Sequence, residues 1–226
     1  MENSEFILII MAFLLGIRHG FDLDHLATID SVARVVSENR SLAKIVGLLF
    51  SLGHGFVVIL ISLIIGYGFQ PASVPQWLDG LGNSISIFFL LVFGIINLYS
   101  IFQSPQNNAV PTSLKNYISK KLIHRDFNPF YIIFIGALFA LSFDTVSQAI
   151  LFSLSAQAMA GWLFSGLLGV VFMLGMMVSD GLNGFFVSIL IQRANAGSLL
   201  LSRLAGLMIA SFSLIIGLIN CIKMYH

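Results

Sequence analysis

Apolar residues fill this chain in runs of about 20, set apart by short polar stretches rather than alternating with polar residues. Such runs fit helices that cross a bilayer, not the ten-residue alternating strands of a membrane barrel. Six spans are expected, over about residues 6–35, 43–69, 80–103, 130–157, 161–192 and 199–222. The first and fifth are longer than a crossing requires, so each is expected to be tilted, broken or extended beyond the lipid. Pro71, Pro75, Pro105, Pro111 and Pro129 all fall in connections or at span edges, as helix boundaries require.

Composition agrees. Hydrophobic residues make up 58% of the 226 positions and charged residues 9%, against about 25% charged in soluble proteins. The pattern therefore specifies an all-α integral membrane protein and excludes a soluble domain. The single Cys221 leaves no disulfide within the chain and no cysteine metal cage. The start, Met-Glu-Asn-Ser-Glu, has no basic segment, so no cleaved signal peptide is expected.

A net charge of +1 is informative only once it is divided by loop. Arg34, Arg40 and Lys44 flank the first connection, Lys115, Lys120, Lys121 and Arg125 the third, and Arg193 and Arg203 the fifth. The second and fourth connections have none. By the positive-inside rule the odd-numbered connections face the cytoplasm and both termini face outside, in the cell membrane.

The chain also repeats itself. Gly47-Leu-Leu-Phe-Ser-Leu-Gly-His54 matches Gly169-Val-Val-Phe-Met-Leu-Gly-Met176 at an offset of 122 residues. The same offset sets Phe21-Asp22 on Phe143-Asp144, and an offset of 123 sets Gly94-Ile-Ile-Asn97 on Gly217-Leu-Ile-Asn220. Spans one, two and three thus correspond to four, five and six. Three spans per repeat is an odd number, so the second repeat enters the membrane in the opposite sense. The organisation expected is a first three-helix repeat over 1–104, a basic cytoplasmic connector over 105–129 and a second repeat over 130–226. Inverted repeats of this kind are typical of secondary transporters, whose substrates bind near the midplane at the repeat interface.

One stretch breaks the apolar pattern. Arg18, His19, Asp22, Asp24 and His25 fall within eight consecutive residues, directly after the apolar run Phe6 to Ile17. Each such group costs roughly 2.5–3.5 kcal/mol in mid-membrane on insertion scales, and those that persist there serve function. Imidazole nitrogens with carboxylate oxygens suit nickel, cobalt, copper, zinc or iron rather than magnesium or calcium. On an ideal helix His19, Asp22 and His25 lie at about 0°, 300° and 240°, on one face, with Asp24 near 140° unless the helix unwinds around Gly20. A second helix must close this face, and His54, between Gly53 and Gly55, is the donor expected.

The second repeat keeps a carboxylate at Asp144, carries Ser147 and Met176 where His25 and His54 would recur, and adds Asp180. A path of successive carboxylates would pass an ion without trapping it. Structural readings stand beside these. Arg18 would neutralise Asp22 as an i,i+4 pair, as Arg34 would Asp30. His54 would be a packing histidine, Asp144 would bond Thr145 or Ser147 or orient a ligand histidine, and Met176 and Met177 would be core. His124 and His226 lie outside the spans.

These residues resemble a known family. Arg18-His19-Gly20-Phe21-Asp22-Leu23-Asp24-His25 is similar to the Arg-His-Ala-x-Asp-Ala-Asp-His signature of nickel/cobalt transporter permeases. Phe50-Ser-Leu-Gly-His54, Leu141-Ser-Phe-Asp144-Thr145-Val-Ser-Gln148 and Gly175-Met176-Met177-Val178-Ser179-Asp180 resemble their further motifs, in the same order. Gly20 departs from the family's alanine, Gln148 from its glutamate, and Ser179 and Leu182 from its threonine-rich pattern. Members commonly have eight spans, against the six expected here.

The resemblance implies a secondary permease, not an enzyme, that takes up Ni2+ or Co2+ as substrate. It ties His19, Asp24, His25 and His54 most closely to the metal, and so adds Asp24 to the set that helical geometry selects. Asp22 and Asp24 both remain candidate ligands, and Arg18, Asp144, Thr145, Ser147, Met176 and Asp180 candidate supports or pathway residues. Efflux of the same ions and metal delivery without translocation are the alternative activities. The partners expected are the ion and the lipid bilayer, with no nucleic acid. No phosphate-binding glycine loop is present, so ATP use would require a partner chain, and no ATPase subunit is necessary thermodynamically.

Overall fold

The structure is a computed structural model that describes residues 2–37, 39–68, 76–102, 128–141, 146–157, 161–192 and 196–225. These residues form helices α1 (Glu2–Gly20), α2 (Leu23–Val35), α3 (Arg40–Gly66), α4 (Gln76–Phe102), α5 (Pro129–Phe139), α6 (Val146–Gln157), α7 (Trp162–Gln192) and α8 (Ala196–Tyr225), with no strand among them. The basic residues of the third connection, together with Arg193, lie outside the described residues.

The long first apolar stretch is broken. The amides of Phe21 and Asp22 reach back to the carbonyls of Arg18 and His19, at 3.1 and 2.9 Å, and close α1 with a tight turn. Asp22 is extended (φ −64°, ψ 145°), and its carbonyl accepts the Leu26 N–H at 3.1 Å to begin α2. The two helices meet at 56°. In the stretch expected as one span over 130–157, α5 ends at Phe139 and a separate helix begins at Val146. The other long stretch needs no break: α7 runs as one helix of 31 residues. Caps fix the starts of α3 and α5, where Asn39 accepts from the Leu42 N–H (3.1 Å) and Asn128 accepts from the Phe130 N–H (3.0 Å) ahead of Pro129.

This is a membrane protein. α3, α7 and the Arg203–Met224 part of α8 are each long and apolar enough to cross a bilayer, and α1 with α2 makes a fourth, bent candidate. The described stretches Asn83–Tyr99 and Pro129–Phe139 are shorter apolar helices. Polarity runs opposite to that of a soluble protein. Phe6, Phe56, Phe88, Phe134, Leu163 and Phe186 face outward, while His19, His25, His54, Asp30, Gln148 and Asp180 are buried. An outward apolar shell around an inward polar centre is the arrangement that lipid imposes.

At the centre α3 crosses α7, with α1 lying along α7, α5 along α3, and α4 against α8. Glycines set how closely these helices approach. A methyl on Gly16 of α1 would overlap the Phe172 carbonyl of α7, and one on Gly175 of α7 would overlap the Phe13 carbonyl of α1. The α5/α3 contact repeats the same pairing. Gly136 meets the Phe50 carbonyl and Gly53 meets the Ile133 carbonyl, so each helix packs its glycine on the other's backbone. Two apolar clusters result. One holds Ile29, Val46, Phe50, Ile132, Phe139 and Val187, the other Ala12, Val58, Leu151, Leu168, Phe172 and Met176.

Substituting Gly16 or Gly136 by Val forces backbones apart rather than side chains, so each should cost at least the roughly 1–3 kcal/mol of core overpacking. Thermal unfolding in detergent checks this. Gly80→Ala, whose added methyl meets nothing within 4 Å, should leave the midpoint unchanged or raise it.

Candidate metal centre

The break between α1 and α2 builds the centre. His19 sits in the last turn of α1 and His25 in the first turn of α2, and the turn brings their ring centroids to 4.5 Å. His54, midway along α3, completes a triangle at 5.0 Å from the His19 ring and 4.9 Å from the His25 ring. All three are buried, and one ring nitrogen from each lies within 4.8 Å of the other two. The walls are apolar: Phe50 stands edge-on to His25 at 4.9 Å, and Phe172 lies against His19 at 5.4 Å.

Carboxylates hold two of the rings from behind. Asp22 Oδ2 lies 3.0 Å from His19 Nδ1, and the Asp180 oxygens lie 3.1 and 3.3 Å from His25 Nδ1. A carboxylate at Nδ1 fixes the proton there, which leaves Nε2 with its lone pair free. His25 Nε2 is buried with no hydrogen-bond partner among the described residues, and His19 Nε2 faces His54 Nε2 at 3.1 Å. Metal–imidazole bonds of 2.0–2.1 Å put neighbouring ligand nitrogens about 3.0 Å apart at a right angle and about 3.4 Å apart in a tetrahedron. The His19–His54 separation falls within that range. The arrangement can hold a borderline divalent cation on three nitrogens in an apolar shell.

His19, His25 and His54 are thus brought together, while the two nearby carboxylates of the signature diverge. Asp22 turns back to His19. Asp24, in the first turn of α2, accepts the N–H of His25 at 2.9 Å and is not a member of the triangle. The break also removes the i,i+4 geometry for an Arg18–Asp22 pair, and Arg18 Nη1 hydrogen-bonds the Ser147 hydroxyl instead. The Asp30–Arg34 pair is present, bidentate at 2.9 Å for each bond, with Asn97 Nδ2 a third donor at 3.1 Å. Met176 lies in the apolar cluster beside Phe172. Asp144 and Thr145 lie outside the described residues.

Two contributors went unseen in the sequence. Ser51, one turn before His54, donates to Asp180 Oδ2 at 2.6 Å; its position three residues from His54 on one helix was the available signal. Gln148 entered only as a departure from the family's glutamate. It is buried, with its amide nitrogen 2.8 Å from His54 Nε2.

Comparison with known proteins now adds to this geometry. A family model described as "High-affinity nickel-transport protein" matches residues 5–225. The chain is 34% identical over 206 residues to the high-affinity nickel-transport protein NixA of Helicobacter pylori, covering 78% of this chain and 61% of that protein. It is 31% identical over 199 residues to the nickel transporter NixA of Staphylococcus aureus, covering 77% and 59%. Similarity extends to the cobalt transport protein NhlF of Rhodococcus rhodochrous, at 23% identity over 199 residues, covering 78% and 56%. The matched region spans about three-fifths of the length of these curated relatives. No solved structure matches.

Removing a carboxylate behind a ligand imidazole typically costs 10–100-fold in metal affinity. Asp180→Asn should weaken Co2+ binding by about that factor while the helical content is retained. Calorimetric titration of the purified protein in detergent measures it.

Proposed function

The chain belongs to the NicO family of high-affinity nickel-transport proteins, and from that membership and its three-histidine centre we propose a secondary transporter that takes up Ni2+ or Co2+. The observation that carries the reading is the buried His19–His25–His54 triangle, whose ring nitrogens, among the described residues, face one another and the Gln148 amide. The ion is substrate, not cofactor. Imidazole selects borderline ions over magnesium and calcium, and the relatives named for nickel and cobalt fit that chemistry.

The fold is two inverted three-helix repeats in the cell membrane, with both termini outside. The glycine seams support this organisation. Gly16 with Phe172 and Met176 on one side has its counterpart in Gly136 with Phe50 and His54 on the other, and Gly175 with Phe13 has its counterpart in Gly53 with Ile133. Phe50 and Phe172, related by the sequence offset of 122, each wall one histidine of the centre. The substrate site thus straddles the seam between the halves.

No energy source beyond the membrane is needed. A dication entering down a potential of 100 mV, interior negative, gains about 4.6 kcal/mol, enough for accumulation of about a thousandfold or more. Transport is the activity, rather than catalysis, and no ATP-hydrolysing partner is required.

Cells expressing the chain should accumulate radioactive nickel above controls, and His19→Ala or His54→Ala should cut the excess by about tenfold or more with membrane levels unchanged. A loss of cell nickel on expression would assign export instead. Normal accumulation in both variants would remove the centre from the path.

A further inference from the structure

The proton inventory of the centre does not close with histidines alone. His19 Nδ1 donates to Asp22, so His19 Nε2 presents a lone pair to His54 Nε2, 3.1 Å away. Their contact therefore makes His54 Nε2 the donor. Gln148 touches the same His54 Nε2 with its amide nitrogen, at 2.8 Å. A donor cannot accept from an N–H, whereas the Gln148 carbonyl oxygen could accept from it. That oxygen, Oε1, is buried without a hydrogen-bond partner among the described residues, as is His25 Nε2. A half-turn about the terminal bond of Gln148 exchanges amide nitrogen for oxygen at His54 and moves nothing else. With the His54 proton moved to Nδ1, which also lacks a hydrogen-bond partner among the described residues, the centre presents a carbonyl oxygen and imidazole lone pairs to one another, an arrangement that a cation satisfies and apolar walls do not.

Resting on the transport reading above, we propose that Gln148 is the fourth donor to the ion, through its carboxamide oxygen. It comes from α6, whereas His19, His25 and His54 come from α1, α2 and α3, so the ion joins the two halves of the chain. The donor set is three imidazoles and one amide, and carries no charge. Asp22 and Asp180 together balance the dication from behind His19 and His25. A glutamate at this position would add a carboxylate to an already balanced site and hold the ion more tightly. Gln148 is thus a specificity- and release-determining residue: a neutral oxygen donor completes coordination without making the site a trap.

The test titrates Co2+, whose visible absorption reports its ligands, into the purified full chain in detergent, comparing wild type with Gln148→Leu, Gln148→Glu and His19→Ala. Gln148→Leu should lower affinity about tenfold and alter the Co2+ spectrum, and Gln148→Glu should raise affinity about tenfold and slow ion release. Wild-type affinity and spectrum in Gln148→Leu, or weaker binding in Gln148→Glu with helical content retained, would overturn the assignment. His19→Ala separates the two ideas. If it abolishes binding while Gln148→Leu behaves as wild type, the transport site stands and only the fourth donor falls. If wild type itself binds no Co2+, both fall.

Discussion

The rest of the structure depends on how imidazoles buried from the surface are held. An unpaired polar group in such surroundings is costly, and membrane-embedded ones persist by pairing with one another or with an ion. Here Asp22 and Asp180 each take the outer nitrogen of a histidine, leaving the inner nitrogens turned toward one another. The His25–Asp180 link lies wholly inside the protein and ties α2 to α7. The Ser51 hydroxyl ties the same carboxylate to α3. A single buried carboxylate therefore sets the relative positions of three helices around the centre.

The helix break makes this geometry available. On an unbroken helix His19 and His25 would be separated by six residues, about 9 Å along the axis. The turn at Phe21 and Asp22 brings the rings to 4.5 Å instead. It also frees Asp22 from the helix face, so its carboxylate reaches back to His19 rather than capping α2, and Asp24 serves the first turn of α2. The two nearby carboxylates of the signature thereby take different structural tasks, Asp22 behind His19 and Asp24 on the backbone N–H of His25.

Much of this was legible in the residues, for physical reasons that also mark where legibility ended. Apolar runs report lipid exposure directly, so the helices fall close to the expected stretches. The cluster from Arg18 to His25 stood out because ionisable groups are rare in such runs, and His54 because glycines flank it. The arrangement of Asp22 and Asp24 was not readable, since a helical wheel assumes a continuous helix and the decisive event is its interruption. Arg18 was misread for the same reason: its expected partner left the helix, and Ser147, 129 residues away, took its place. Gln148 and Ser51 carry no charge and match no metal-ligand pattern, and only long-range contacts give them a role.

The asymmetry of the two proposed halves follows from having one histidine triangle beside two similar seams. At the α3 seam His54 lies where Met176 lies at the α7 seam, each with its backbone N–H side against the glycine of the neighbouring helix. The backbone packing can match because glycines and carbonyls make it. The side chains at the centre cannot match, because six donors from two complete sites would crowd a centre whose three histidine nitrogens already lie within 4.8 Å of one another. Met176 therefore fills an apolar cluster while His54 joins the histidine triangle. On the repeat reading proposed above, near-equivalent glycine seams allow one half to rock against the other without exchanging long side chains. The single polar centre between them is the element whose access such rocking would change.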